Sequence, residues 1–272
     1  MPWPTWQQAA TTALVSALLA VIARRHLPAR VGGPLEPVAH ELSLLAGLYS
    51  LWRIARTLPL ATTDGAIERA RQIVRIQDWL HLPTELSLQH FALRHELIGR
   101  FLNVYYATVH VPATILFLIW MFARRRDLYP RWRNGLAGVT AGCLVIRFVR
   151  VAPPRFLVDL GYIDLATKYG MSVYGPVGTG VSDQFAAMPS IHVGWAAVVG
   201  CGVFAGVRGR WRWLGPGHLT LTMLAVSATG NHWWLDGLVA IGLLAVALLF
   251  DGWIRRVLVR RRTIQDPVLP VT

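Results

Sequence analysis

Long apolar runs, each closed by an arginine-rich turn, set the pattern of this chain. No Asp, Glu, Lys or Arg occurs from residue 1 to 23, from 101 to 123 or from 184 to 207. A helix needs ~20 mostly apolar residues to cross the hydrocarbon layer, so each run is long enough. Placing every arginine cluster on the cytoplasmic side predicts seven spans, roughly 5–23, 38–58, 102–123, 134–151, 187–207, 214–231 and 234–254. The second and fourth are the more polar ones. Arg53 and Arg56 interrupt the second, while Arg147 and Arg150 sit in the outer end of the fourth. Charge at membrane depth is costly and points either to function or to snorkelling.

Between the second and third spans, residues 64–100 are too charged to cross a bilayer. Their apolar residues recur at helical spacing, as Ile67, Ile73, Ile76 and Leu80, then Leu86 and Phe91, with Pro83 dividing the two sets. This predicts two amphipathic helices on the outer surface, framing a lipid entrance. A Gly- and Pro-rich loop over 151–187 joins the fourth and fifth spans, and long irregular loops are often functional. From Arg260 onward a mobile polar tail is expected.

Composition agrees with the pattern: 54% of the 272 residues are hydrophobic and 15% charged. The chain therefore reads as all-α, a polytopic membrane helix bundle. The net charge of +13 lies in clusters between apolar segments, which marks topology rather than nucleic-acid binding. Twelve Trp and seven Tyr suit interfacial belts. No positive residue precedes the first apolar run, so it reads as a retained helix starting outside, not a cleaved signal. Cys143 and Cys201 sit in apolar runs and suggest packing.

Two histidines stand out from this background. His192 follows Met188-Pro189-Ser190, where a span should begin, and a helix N-terminus is a ready phosphate site. His232 lies forty residues later, a distance that returns the chain to the same outer face. Asp236 at i+4 can share a helix face with His232 and fix its tautomer, leaving the other nitrogen to attack. His192 then serves as general acid, and Arg147, Arg150 and Arg155 clamp phosphate oxygens. Ser190 reads as a helix cap and phosphate contact. Taken singly, a membrane histidine is more often a packing residue, the reading given to His26, His40, His81, His90, His95 and His218.

These residues resemble a known family. Met-Pro-Ser-Ile-His at 188–192 and Gly-Asn-His-Trp-Trp-Leu-Asp at 230–236 look like the second and third motifs of the type 2 phosphatidic acid phosphatase superfamily. Pro-Pro-Arg at 153–155 resembles the first motif of its inositol phosphotransferase branch, which includes the inositol phosphorylceramide synthases. The resemblance extends over about 41–252 and includes Asn103-Val-Tyr-Tyr and His110. It implies a six-helix core with an added N-terminal helix, no metal and no cofactor, a phosphohistidine on His232 and proton donation by His192. The usual Ser-Arg before the third-motif histidine is replaced by Ala225 and Val226, and the usual lysine-containing first motif is missing. Arg155 is the best substitute clamp, followed by Arg150, with Arg53 or Arg56 available if the second span packs beside the site. His110 is read as a headgroup contact or a structural hydrogen bonder.

The expected organisation is an N-terminal helix over 1–30, a catalytic membrane domain over 31–258 and a cytoplasmic tail over 259–272. The expected partners are membrane lipids, a lipid phosphate or phospholipid substrate, and inositol or another alcohol as acceptor; nucleic acid is not expected. With water as acceptor the same chemistry gives a phosphatase. The alternatives are an intramembrane zinc hydrolase using His192, His232 and Asp236, a non-enzymatic transporter or scaffold, and, more remotely, a Ser190-based hydrolase. The expected location is the cell membrane, with the site on the extracytoplasmic face and the C-terminus inside.

Overall fold

The computed structural model describes residues 4–57, 64–170 and 184–265, with side chains up to Leu258. All regular elements among the described residues are helices; one isolated parallel bridge, Val151 with Ala186, is the sole strand-like pairing among them. The chain divides into two compact units, Met1–Leu60 and Ala61–Thr272.

The first unit is a hairpin of α1 (Trp6–His26) and α2 (Ala29–Thr57). Thr5 and Gln8 form a reciprocal capping box that satisfies orphan N–H groups at the start of α1. Tyr49 and Ser50, late in α2, donate to the carbonyls of Pro4 and Trp6 at 3.1 and 2.9 Å. The expected domain limit at residue 30 falls within the first turn of α2.

The second unit holds α3 (Ala66–Trp79), α4 (Glu85–Arg94), α5 (Glu96–Thr108), α6 (His110–Arg124), α7 (Tyr129–Ile146), the short α8 (Leu165–Lys168), α9 (Ile191–Gly206), α10 (Leu214–Ala228) and α11 (Trp234–Gln265). Helix α9 is central and packs on α6, α7, α10 and α11. Its sequence explains this position. Between helices in lipid, close van der Waals approach replaces the hydrophobic effect, and small residues permit it. Gly194, Ala196, Ala197 and Gly200 are buried on α9, and a Cβ at Gly200 would lie 3.0 Å from the carbonyl oxygen of Gly215 on α10. Trp195 also donates to Thr140 of α7 at 2.9 Å.

Two helices are long and apolar enough to span a membrane, Trp6–His26 and Trp234–Leu258; α5 and α6 make a third if the pair is one span. Of the other expected spans, α2 and α7 are long enough but more polar, while α9 and α10 have only 16 and 15 residues. The third expected span is not straight, because α5 and α6 meet at 51°. Pro112 explains the break: it lacks an N–H for the carbonyl of Thr108 and its ring crowds that turn. The last helix continues through Gln265, where a mobile tail from Arg260 was expected.

The two helices expected over 64–100 are present as α3 and α4. Ala66, Ala70, Ile73 and Gln77 are buried on α3, as are Glu85, Gln89 and Ala92 on α4. Ile67, Ile76, Leu80 and Phe91 are exposed. Small and polar side chains, with Ile73, therefore dock this pair on the bundle.

Candidate functional site

The site forms where the starts of α9 and α11 meet. Ser190 caps α9, its hydroxyl accepting from the Val193 N–H at 3.3 Å, and its own N–H donates to the Asp236 carbonyl at 3.2 Å. This tie brings His192, the second residue of α9, beside the turn that carries His232. That turn closes on α10: the N–H groups of Asn231 and His232 both donate to the Val226 carbonyl, at 3.0 and 3.1 Å. Gly230 turns the chain with φ +73°, a region open to glycine without steric cost.

The two imidazoles touch. His232 Nε2 lies 3.3 Å from His192 Nδ1. The other nitrogen of His232, Nδ1, is 2.7 Å from the carbonyl oxygen of Ala187 and 3.4 Å from Asp236 Oδ2. A carbonyl can only accept, so neutral His232 carries its proton on Nδ1 and a lone pair on Nε2. In the contact between the rings His192 Nδ1 is then the donor. Burial pushes the His232 pKa down to about 4, an effect reinforced by the nearby Arg155 charge and opposed by the hydrogen bond to Ala187. Asp236 is fully buried, its Oδ2 accepting the Trp233 N–H at 2.8 Å. It thus holds the turn as well as facing the ring.

Arg155 approaches from the loop after α7. Val151 pairs with the strand-like residues before Ala187: its N–H donates to Phe185 at 2.8 Å and its carbonyl accepts from Ala187 at 3.1 Å. The Arg155 N–H donates to the Gly230 carbonyl at 3.0 Å, and its Nη1 donates to Asn231 Oδ1 at 2.5 Å. Asp164 Oδ2 lies 3.9 Å from Nε. Only 6% of Arg155 is exposed, so the guanidinium is a fixed positive group beside the turn that carries His232.

His192, His232, Asp236, Ser190 and Arg155 are therefore assembled in one place. His110 and Tyr106 stack near His192, each with ring centroids 4.7 Å from it, and His110 stacks on Trp195 at 5.0 Å. The bend between α5 and α6 lies between those two residues. Arg147 ends α7, and Arg150 is half-buried three residues later, its carbonyl accepting from Arg69. Arg56 belongs to the first unit, where it lies over Trp52 at 4.9 Å. Part of the 151–187 loop, residues 171–183, lies outside the described residues. Among the described residues no group of three or more His, Cys, Asp or Glu side chains is arranged to hold a metal ion.

Sequence reasoning did not identify three features of the site. The Ala187 carbonyl is closer to His232 Nδ1 than Asp236 is, and a backbone acceptor leaves no mark in residue type. Asn231, within the third motif, positions Arg155. Gln77, Glu85 and Gln89 reach the turn from α3 and α4; their helical spacing on an otherwise small-residue face was the available signal.

Comparison with known proteins gives one match: a family model described as the PAP2 superfamily aligns with residues 71–250. No curated protein and no solved structure matches.

Proposed function

This chain belongs to the PAP2 superfamily, the type 2 phosphatidic acid phosphatases, and from that premise we propose that it moves a phospho group out of a lipid phosphate or phospholipid through a phosphohistidine on His232. Membership makes it a membrane enzyme of the phosphatase kind and sets aside the non-enzymatic transporter or scaffold. The observation that carries the mechanism is the direction of the two rings. His232 Nδ1 is occupied by Ala187, and Nε2 points at a proton on His192.

In the first step Nε2 attacks phosphorus and the bond from phosphorus to the leaving oxygen breaks. The negative phosphate favours a protonated His192, which gives its proton to that oxygen. In the second step an acceptor hydroxyl loses its proton to His192, its oxygen bonds phosphorus, and the nitrogen–phosphorus bond breaks. Arg155, with Arg150, Arg147 and the Ser190-capped start of α9, stabilises charge on the phosphate oxygens.

For the acceptor we favour inositol or another alcohol over water. Pro-Pro-Arg at 153–155 supports this, and so do the groups on the α5–α6 side of His192. Both amide atoms of Asn103 and Nδ1 of His110 are buried without a hydrogen-bond partner among the described residues, on the stripe that also carries Tyr106. Buried unpaired polar groups call for a partner, and hydroxyls can both donate and accept. The arginine clusters between spans support a site on the extracytoplasmic face and a cytoplasmic C-terminus.

Purified protein incubated with labelled phosphatidic acid and phosphatidylinositol, with and without added inositol, tests the reading. Wild type should turn over, and His232→Ala should lose all measurable activity. Turnover retained in His232→Ala would sink the phosphohistidine mechanism. With phosphatidic acid as substrate, labelled inositol phosphate formed only when inositol is added indicates transfer, and inorganic phosphate alone indicates hydrolysis.

A further inference from the structure

Three polar side chains from α3 and α4 hold both ends of the turn that carries His232. The Glu85 carboxylate accepts the Trp234 N–H at 2.7 Å and the Gln77 amide at 3.0 and 3.2 Å; Tyr162 OH donates to it at 3.4 Å. The Gln77 carbonyl oxygen accepts the Leu235 N–H at 3.0 Å. Trp234 and Leu235 open α11, so these are two of the N–H groups that a helix start leaves without internal partners. At the other end, Gln89 donates to the Ala228 carbonyl at 3.3 Å and exchanges two bonds with Ile163, at 2.9 and 3.0 Å. Between these anchors lie Thr229 to Trp233, His232 among them, and Asp236 is in the first turn of α11.

Fixing a helix start does not require a buried carboxylate; Ser or Thr does it at little desolvation cost. Glu85 is 1% exposed, and burial raises its pKa even though Trp234 and Gln77 hydrogen-bond to it. A group that costs stability yet is bonded through both oxygens favours geometry over stability. We propose that Glu85, with Gln77, is a positioning residue for phosphoryl transfer: it fixes the first residues of α11 and through them the placement of His232 Nε2 and Asp236. This inference rests on the phosphohistidine reading above. It connects the surface helices to chemistry they do not touch, since a misplacement of about 1 Å can cost ~100-fold in rate.

The test compares full-length wild type, Glu85→Ala, Glu85→Gln and His232→Ala in the lipid phosphate assay. Each rate is referred to folded protein measured by thermal unfolding. Glu85→Ala should lower kcat about tenfold or more with KM changed less than threefold. Glu85→Gln keeps an acceptor for the Trp234 N–H and should restore kcat to within about fivefold of wild type. If Glu85→Ala does not fold, Gln77→Leu, which removes the Leu235 bond and the amide's bonds to Glu85 but leaves the Glu85–Trp234 bond, should lower kcat by at least threefold. A kcat per folded molecule equal to wild type in Glu85→Ala, or in Gln77→Leu, overturns the proposal, as does a Glu85→Gln protein no better than Glu85→Ala. The nitrogen resonances of labelled histidine, with His232 assigned by its loss in His232→Ala, give a readout without substrate. Glu85→Ala should shift or broaden the His232 Nδ1–H signal, whereas a purely structural residue leaves it in place. Activity retained in His232→Ala would instead remove the mechanism on which the inference stands, a result separable from failure at Glu85.

Discussion

At the scale of single residues, His232 is poised by its surroundings. Burial holds the imidazole neutral, with a pKa of about 4 against an ordinary 6.5, so Nε2 keeps its lone pair across the mildly acidic range. The same shift makes stability depend on pH. Because the folded value lies below the free one, protonation favours the unfolded chain. Stability from this group is complete above about pH 6.5 and falls as pH drops toward about 4, by up to ~3 kcal/mol. Thermal unfolding in detergent from pH 8 to 4.5 should show the decline, and His232→Asn, whose amide can donate to Ala187, should flatten it. An equal slope in the variant would assign the decline to other groups. The residues behind this behaviour were partly legible in the sequence. Motif spacing brought His192, His232 and Asp236 together, and Pro-Pro-Arg marked Arg155. Neither the Ala187 carbonyl nor Glu85 was legible: the first is backbone, and the second meets Trp234 across 149 residues of chain.

At the scale of elements, the pattern of apolar and polar positions located nearly every helix but not how the helices bend or which face packs. The run from 101 to 123 looked like one straight span because its apolar character is unbroken, yet Pro112 was already visible within it. The bend it makes separates Tyr106 on α5 from His110 on α6 and lets both rings meet His192. In α3 and α4 the large apolar residues drew attention, although in a membrane protein such residues can face lipid while Ala, Gln and Glu face the protein. Pro112→Ala restores the missing N–H and should straighten the pair. The expected result is a kcat lowered about tenfold with thermal stability equal or higher, because helix propensity improves while the rings leave His192. Steady-state kinetics beside an unfolding curve would check it. An unchanged kcat would show that the bend has no part in placing His192.

At the scale of the whole molecule, the division at residue 60 separates the candidate site from the N-terminal hairpin. His192, His232, Asp236, Ser190, Arg155 and the Glu85 group all belong to the unit Ala61–Thr272, and the family match begins inside it, at residue 71. The first unit supplies one helix, Trp6–His26, long and apolar enough to span a membrane. A chain beginning at residue 61 should therefore insert, fold and turn over lipid phosphate in a His232-dependent manner, with kcat within about fivefold of the full-length protein. Melting temperature and turnover measured together in the same detergent separate the two ways it can fail. If the shortened chain unfolds, the first unit contributes stability. If it folds but loses activity, turnover needs the first unit, and the reading that His192, His232, Asp236 and Arg155 suffice for the chemistry is overturned.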